Sequence, residues 1–223
     1  MYKLAIFDFD GTLVDSAPGI VQVMKEVVDE MGFSAELLER WSHMIGIPLL
    51  RQAELLFPEQ DNHFHERLAD IYRDRYDGKA VEICPLFPHL EEMLTLLNQN
   101  GVSVTVATSK RRHLVEQVVD HHKLAHHFKM IVGAADVTHH KPHPESVHIT
   151  MEKFGAKPEE VVVIGDSTFD LDMARNAGVD GIGVTTGIHT RELLKKSNPR
   201  HIVDGLHEVT PLILNGRMPL SAP

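Results

Sequence analysis

The chain has 223 residues, of which 43% are hydrophobic and 24% are charged, with a formal net charge of −10 and a pI near 5.9. This acidic balance argues against a nucleic-acid-binding protein, which usually carries a basic footprint. The sequence has no apolar run near the roughly 18 residues that a membrane helix needs, and its single cysteine, Cys84, cannot form an internal disulfide. We expect a soluble cytoplasmic protein without a signal peptide that binds neither nucleic acid nor membrane.

The stretch from residue 4 to residue 13 combines a short apolar run with two carboxylates and a glycine. Residues 4–7 read Leu-Ala-Ile-Phe, which predicts a buried strand. Alternate residues of an extended chain point to the same side, so Asp8 and Asp10 converge where the strand ends and Gly11 lets the backbone turn. Two crowded carboxylates favour a hard divalent cation such as Mg²⁺, which prefers oxygen ligands. An ordinary Asp-Gly turn is the alternative interpretation at this point.

Residues 15–83 have the pattern of a helical insert. Asp15 or Ser16 followed by Pro18 suits the start of a helix, apolar residues then recur at three- and four-residue steps up to Met31, and Gly32 ends the pattern. Further helices are predicted at about 35–43, 49–56 and 61–76. We expect residues 15–83 to form a small all-helical domain inserted into a core made of residues 1–14 and 84–215.

From residue 84 onward, strands and helices alternate. Runs rich in apolar and β-branched residues predict strands at 102–107, 129–132, 161–164, 181–184 and 201–203, the last at an edge of the sheet. Helices are predicted at 90–98, 112–121, 144–154, 170–177 and 191–196. This alternation predicts an α/β fold with a Rossmann-like, doubly wound parallel sheet. Residues 216–223 have little apolar pattern, and we expect a flexible tail there.

Polar residues follow four of the predicted strands. In chain order they are Asp8 and Asp10, then Thr108-Ser109-Lys110, then Lys141, and finally Asp166 with Asp170. Because the carboxyl ends of parallel strands meet at one edge of the sheet, we expect these groups to converge. Carboxylates for a cation, a hydroxyl donor and a fixed ammonium suit phosphoryl transfer, in which a carboxylate attacks and the other groups neutralise the phosphoryl oxygens.

At these residues the chain resembles the haloacid dehalogenase superfamily, over its whole length. Phe7-Asp8-Phe9-Asp10-Gly11-Thr12 is similar to the first motif of that superfamily, Thr108 to the second, Lys141 to the third, and Gly165-Asp166 through Asp170 to the fourth. The helical insert resembles the superfamily's small helical cap. The group within it that the chain resembles contains phosphoglycolate phosphatases and pyrophosphatases.

The resemblance assigns a role to each of these residues. It implies that Asp8 is the nucleophile and Asp10 the general acid/base, and that Thr108 and Lys141, with Ser109 as a competing donor, bind the phosphoryl group. It also implies a Mg²⁺ ion held by Asp8, the backbone carbonyl of Asp10 and Asp166, with Asp170 supporting its water shell. Dehalogenating relatives lack an acid at the position of Asp10, so its presence favours phosphate chemistry.

Several other features keep two interpretations. In the insert, the turn at Gly46 and the nearby Arg51 could select the substrate, or Arg51 could form only a surface salt bridge; His43 is a weaker candidate, and Trp41 is interpreted as core packing. The basic run at 110–112 is interpreted as a solvated helix start, with attraction of an anionic substrate as the alternative. The 16 histidines, including the pairs at 121–122, 126–127 and 139–140, are interpreted as surface residues because they lack the spacing of a zinc site.

The sequence thus predicts a Mg²⁺-dependent phosphatase that acts on a small phosphorylated metabolite through an aspartyl-phosphate on Asp8. A phosphoglycolate-like phosphomonoester is favoured as substrate. The alternatives within the superfamily are a pyrophosphatase and a sugar-phosphate mutase similar to β-phosphoglucomutase. A phosphometabolite-binding sensor is the alternative that is not an enzyme. The expected partner is the small-molecule substrate, with the chain acting as a monomer or homodimer.

Overall fold

A six-stranded parallel sheet forms the centre of the structure, a computed structural model that describes residues 1–216. The strands are β1 (Leu4–Phe7), β2 (Ser103–Ala107), β3 (Phe128–Val132), β4 (Val161–Gly165), β5 (Asp180–Val184) and β6 (His201–Val203). They lie in the order β3-β2-β1-β4-β5-β6, and each neighbouring pair is parallel. This order is that of the Rossmann-like sheets, which confirms the predicted α/β fold class.

The helices follow the predicted alternation. They are α1 (Ala17–Met31), α2 (Ala35–Ser42), α3 (Leu49–Leu56), α4 (Asn62–Tyr76), α5 (Leu90–Gln99), α6 (Arg112–His121), α7 (Glu145–Phe154), α8 (Thr168–Asn176), α9 (Arg191–Lys196) and α10 (Leu206–Asn215). The first nine agree with the sequence prediction to within about two residues at each end, which is the usual precision of helix boundaries.

Both faces of the sheet are buried, which explains the continuous apolar runs in its strands. In β1, Ala5 and Phe7 belong to a hydrophobic cluster that includes residues of α5, α6 and α10. The alternate residues Leu4 and Ile6 belong to a second cluster with residues of α7 and α8. All four β1 residues are buried, so packing on both sides fixes the position where this strand ends.

β1 and β4 are neighbours at the centre of the sheet, although a long stretch of chain separates them. Phe7 is in register with Ile164, and the backbone N–H of Asp8 donates to the carbonyl oxygen of Ile164 at 2.8 Å. On its other side β1 pairs with β2, with Phe7 opposite Val106. The residues that follow β1, β2 and β4 therefore leave the sheet side by side.

Helices α1 to α4 pack around a hydrophobic cluster of their own. Its largest member is Trp41, whose side chain is 1% exposed and whose Nε1 donates to Oε1 of Gln52 at 2.7 Å. This confirms the interpretation of Trp41 as core packing. Leu114 of α6 also joins the cluster, so the four helices rest on the sheet-bearing part of the chain. The division at residues 15–83 stays a prediction.

The chain enters and leaves this helical segment at one place. The N–H of Asp15 donates to the carbonyl of Pro85 at 2.8 Å, and the N–H of Phe87 donates to the carbonyl of Leu13 at 3.2 Å. Between these bonds, Val14 forms an isolated antiparallel bridge with Leu86. The incoming and outgoing segments therefore lie next to each other.

Helix α10 was missing from the sequence prediction. Its buried residues Leu206, Val209 and Ile213 recur at helical spacing, but Pro211 lies inside the helix and argues against one. Packing against the apolar cluster outweighs the single backbone hydrogen bond that proline cannot make. The predicted tail at 216–223 lies outside the described residues except for Gly216. Within the described chain, each helix is too short or too polar to cross a membrane.

Candidate active site

Three carboxylates meet at the carboxyl edge of the sheet. Asp8 follows β1, Asp166 follows β4, and Asp170 lies in the first turn of α8. All three are buried, and one oxygen of each lies within 4.8 Å of the others. Asp170 is held by a capping box: its N–H donates to the Ser167 hydroxyl oxygen, and its Oδ2 accepts from the Ser167 backbone N–H at 3.2 Å. The sequence prediction that these acids converge agrees with this geometry.

Lys141 connects two of the acids. Its Nζ lies 2.6 Å from Oδ1 of Asp8 and 2.6 Å from Oδ1 of Asp170. The ammonium is almost completely buried, with 6% of the side chain exposed. Burial opposes its charge, but the two carboxylates raise the pKa of Lys141 above its usual value. Lys141 is therefore a fixed positive charge.

One buried ammonium does not balance three buried carboxylates. Burial is the main cause that raises the pKa of Asp8 to about 7, opposed by Lys141 and reinforced by Asp170. Burial, with Asp8 and Asp170 nearby, raises the pKa of Asp166 well above its usual value. A divalent cation removes this excess of negative charge, and an all-oxygen donor set is the one that Mg²⁺ prefers. The residues present fit such an ion.

Asp166 is positioned by groups from two loops, the loop after β1 and the loop after β5. The Thr12 hydroxyl donates to its Oδ1 at 3.0 Å, and the N–H of Ile188 donates to its Oδ2 at 3.1 Å. A Cβ at Gly11 would lie 2.6 Å from Oδ2, and a Cβ at Gly187 only 1.8 Å from it. Both glycines are therefore required by the close approach of the backbone to this carboxylate. The sequence did not predict that the loop after β5 contacts Asp166, although this loop follows a strand that ends at the same edge of the sheet.

Asp10 is paired with Lys110. Nζ of Lys110 lies 2.7 Å from Oδ1 and 2.9 Å from Oδ2 of Asp10. The same ammonium contacts the hydroxyl of Tyr76, at the end of α4, and lies 4.5 Å from the centre of the Tyr76 ring. Lys110 thus joins the helical segment to Asp10.

The interpretation of residues 110–112 as a solvated helix start was wrong for Lys110, of which only 7% of the side chain is exposed. Burial by Tyr76 from a distant part of the chain explains the difference. Arg111 instead contacts Asp77, and Arg112 contacts Asp136. The sequence signal that could have revealed Lys110 is its place two residues after Thr108, at the end of a central strand.

Thr108 and Ser109 leave β2 beside the carboxylates. Thr108 is 7% exposed, and its Oγ1 accepts from the N–H of Lys110 at 3.1 Å. The hydroxyl of Ser109 donates to the carbonyl oxygen of Gly46 at 2.9 Å. Ser109 therefore contacts the turn in the helical segment that was expected to face the site. Both residues line the cavity above the carboxylates, and their binding of a phosphoryl group stays a prediction.

A cavity of about 380 Å³ separates the sheet edge from the helical segment. Its floor includes Asp8 and Asp10. The helical segment contributes a largely apolar wall, formed by Ile20, Met24, Ile45, Ile47, Leu49 and Leu50. Two basic residues also line it: Arg73, for which the sequence predicted no role, and Arg111, for which attraction of an anionic substrate was the alternative interpretation. A small anion with an apolar part suits such a chamber.

Of the two predicted specificity residues, the structure brings one to the cavity. Gly46 lines it, with a φ of 97° that favours glycine. Arg51 lies outside it, and its guanidinium pairs with Glu54 at 2.7 Å on an exposed helix surface. His43, with its Nδ1 2.8 Å from the carbonyl of Glu39, is likewise exposed. A role for Arg51 in substrate selection stays a prediction.

The fold and this acidic site together are those of the haloacid dehalogenase-like hydrolases. Residues 5–184 match the model of that family, and the chain belongs to it. The chain is 35% identical over 214 residues to "Probable phosphatase IndB" of Dickeya dadantii (strain 3937), with 94% of this chain and 92% of the relative covered.

Two further proteins are similar to this chain over most of its length. A "Phosphoglycolate phosphatase" of Salmonella choleraesuis (strain SC-B67) is 30% identical over 228 residues, with 93% of this chain and 90% of the relative covered. The crystal structure of a "predicted phosphatase" from Clostridium acetobutylicum superposes with a TM-score of 0.85 at 30% identity, covering 96% of this chain and 99% of that one.

Proposed function

We propose that the chain is a Mg²⁺-dependent phosphatase that hydrolyses a small phosphorylated metabolite through an aspartyl-phosphate on Asp8, with a phosphoglycolate-like phosphomonoester as the favoured substrate. The observation that carries the proposal is the buried group of Asp8, Asp166 and Asp170 around the Lys141 ammonium. The carboxylates of such a group repel one another unless a cation occupies the space beside them, and that cation can in turn bind an anionic phosphoryl group.

In the first step an oxygen of Asp8 attacks phosphorus, and the bond from phosphorus to the leaving oxygen breaks. Asp10, protonated at that moment, gives its proton to the leaving oxygen. Lys141 and the hydroxyl of Thr108, or of Ser109, neutralise the phosphoryl oxygens. Asp8, the backbone carbonyl of Asp10 and Asp166 would hold Mg²⁺, with Asp170 supporting its water shell. When bound, the ion supplies charge neutralisation and orientation of the phosphoryl group.

In the second step water attacks the phosphorus of the aspartyl-phosphate. Asp10 takes a proton from the water, the bond between phosphorus and the Asp8 oxygen breaks, and inorganic phosphate leaves with Asp8 restored. One carboxylate attacks and the other moves protons, which is the division of labour that two acids at one strand end permit. Lys110 acts as a positioning residue, because it holds both oxygens of Asp10.

The phosphoglycolate-like substrate rests on the names of relatives such as the Salmonella protein. The cavity supports a second candidate, a phosphomonoester with a larger and partly apolar leaving group, such as a sugar phosphate or a nucleotide. The cavity, with a volume of about 380 Å³ and an apolar wall from the helical segment, offers more space and more apolar surface than a two-carbon acid needs.

The test is release of inorganic phosphate from a panel that contains phosphoglycolate, pyrophosphate, sugar phosphates and nucleoside monophosphates. With Mg²⁺ we expect turnover of at least one phosphomonoester, lost in EDTA and lost in Asp8→Asn. A lack of release from every compound, or full activity of Asp8→Asn, would refute the phosphatase mechanism. Conversion of one sugar phosphate to its isomer would identify a mutase, and binding without turnover a sensor.

A further inference from the structure

A second group of metal-ligating side chains lies outside the acidic site. It consists of His139, His143 and Glu145, hereafter the histidine cluster, and one ligand atom of each lies within 4.8 Å of the others. Two such three-residue groups occur among residues 1–216, this one and the acidic site. Proximity to a third ligand distinguishes the cluster from the pairs at 121–122 and 126–127.

Glu145 is the fixed member of the cluster. Its Oε1 accepts from the N–H of Thr138 at 2.8 Å, and its Oε2 accepts from the N–H of His139 at 2.8 Å. Two backbone bonds therefore orient the carboxylate without using all of its lone pairs. Metal-binding carboxylates are commonly held by hydrogen bonds of this kind.

The two imidazoles already face this carboxylate. Nδ1 of His139 lies 2.9 Å from Oε2 of Glu145, and Nδ1 of His143 lies 4.0 Å from the same oxygen. The rings stack with their centres 4.4 Å apart. The donor atoms of a tetrahedral zinc site lie about 3.4 Å apart, as follows from metal–ligand distances near 2.1 Å. The two distances to Oε2 of Glu145, one shorter and one longer, bracket that spacing.

We propose that His139, His143 and Glu145 form a second metal site, which binds a transition metal ion such as Zn²⁺ or Ni²⁺. Two imidazoles and one carboxylate favour these ions over Mg²⁺, which prefers oxygen ligands alone. The site differs from the acidic site in its ligands, and its histidines are more than half or half exposed at 62% and 50% of their side chains. A metal ion bound at this site is therefore accessible to solvent.

The site lies on the loop that carries Lys141. His139 and His143 are two residues before and two residues after Lys141, whose Nζ contacts Asp8 and Asp170. An ion held by both histidines and by Glu145 closes this loop onto the start of α7. Binding therefore rigidifies the segment 138–145, and it stabilises the folded chain by mass action.

The test is calorimetric titration of the full chain, without a histidine tag, with Zn²⁺ and separately with Ni²⁺, in saturating Mg²⁺ so that the acidic site is filled. We expect one ion to bind per chain and amide exchange to slow in residues 138–145. His139→Ala and His143→Ala should each weaken binding by about 10-fold or more. His126→Ala is the matched control, since His126 is an exposed histidine outside the cluster, and it should bind like the unaltered chain.

Equal affinity of His143→Ala and the unaltered chain would overturn the proposal, because the ion would then lie elsewhere. Weak binding without saturation, or exchange slowed only outside 138–145, would also overturn it. Far-ultraviolet circular dichroism checks that both variants fold. Phosphatase activity is not the readout, so these results do not depend on the proposed reaction.

Discussion

Nζ of Lys110 lies within 2.9 Å of both carboxylate oxygens of Asp10, and Tyr76 from the helical segment covers the same ammonium. This contact brings two distant parts of the chain to Asp10, the residue proposed to move protons. Asp10 cannot act as acid and base unless its carboxylate points toward the leaving oxygen, and Lys110 restrains its direction. In the proposed mechanism, the pair is therefore a second requirement for catalysis beside the nucleophile Asp8.

The first prediction concerns Lys110→Met, which keeps the length of the side chain and removes its charge. We expect kcat to fall by about 100-fold, the lower range of what general acid–base catalysis contributes. Steady-state kinetics at saturating Mg²⁺, which give kcat and KM separately, measure the loss. Arg112→Met is the control, because Arg112 is exposed and forms its ion pair with Asp136. An equal fall of kcat in that variant would contradict the role of Lys110.

The second prediction concerns the pH dependence of stability without metal. Because the folded state raises the pKa of Asp8 from 3.8 to about 7, the folded chain binds a proton that the unfolded chain has released. Asp8 therefore costs stability increasingly as the pH rises from about 4 to about 7, up to roughly 4 kcal/mol. Asp8→Asn, which is neutral at every pH, should escape this cost.

Thermal unfolding of both proteins in EDTA measures the effect. We expect the melting temperature of Asp8→Asn to exceed that of the unaltered chain by a margin that grows from pH 4 to pH 7 and then levels off. Added Mg²⁺ should stabilise the unaltered chain more than the variant. A margin independent of pH would show that the buried carboxylate is not the source.

The third prediction concerns Gly187, where a Cβ would lie 1.8 Å from Oδ2 of Asp166. Gly187→Ala should displace this carboxylate and raise the Mg²⁺ concentration needed for half-maximal activity by about 10-fold or more. Gly78→Ala is the control, since a Cβ there meets nothing within 4 Å. The Mg²⁺ dependence of phosphate release compares the two, and an unchanged requirement in Gly187→Ala would contradict the assignment of Asp166.

The fourth prediction concerns Glu145, which holds the loop of Lys141 by two backbone bonds. Glu145→Gln should lower kcat/KM by about 10- to 100-fold, because Lys141 loses its fixed position. Glu152→Gln, an exposed residue of the same helix, should leave the rate within about twofold. Phosphate release at saturating Mg²⁺ measures both rates. Equal rates in all three proteins would show that the loop does not depend on this carboxylate.

The same contact has a pH dependence of its own. The backbone N–H of Thr138 and the contacts of His139 lower the pKa of Glu145 from 4.5 to about 2. A lowered carboxylate pKa contributes stability that is present above about pH 4.5 and is lost as the pH falls toward about 2. In acid, the unaltered chain should therefore approach Glu145→Gln in stability. Thermal unfolding from pH 3 to pH 6 tests this, and a constant difference between the two would contradict it.

Strand periodicity and the order of motifs were sufficient to predict the acidic site. Asp8, Asp166 and Asp170 converge because a parallel sheet brings its carboxyl ends together, whatever the intervening chain does. Lys110 could not be predicted in this way, since its burial depends on where Tyr76 lies after the helical segment folds. Helix α10 was not predicted, because Pro211 disfavours a helix and the packing that stabilises this helix cannot be read from local propensity. The histidine cluster depends on the path of one loop, which periodicity does not encode.

The paired connections at Leu13 and Phe87 have an evolutionary consequence. Because the chain departs from and rejoins the sheet-bearing part at adjacent points, the residues between them can be shortened, lengthened or exchanged without breaking a strand. Mutations in that stretch can reshape the apolar wall of the cavity while Asp8, Lys141 and Asp166 keep their places. In this way, recombination at two positions that are adjacent in space can give related proteins different substrates while the residues of the acidic site stay the same.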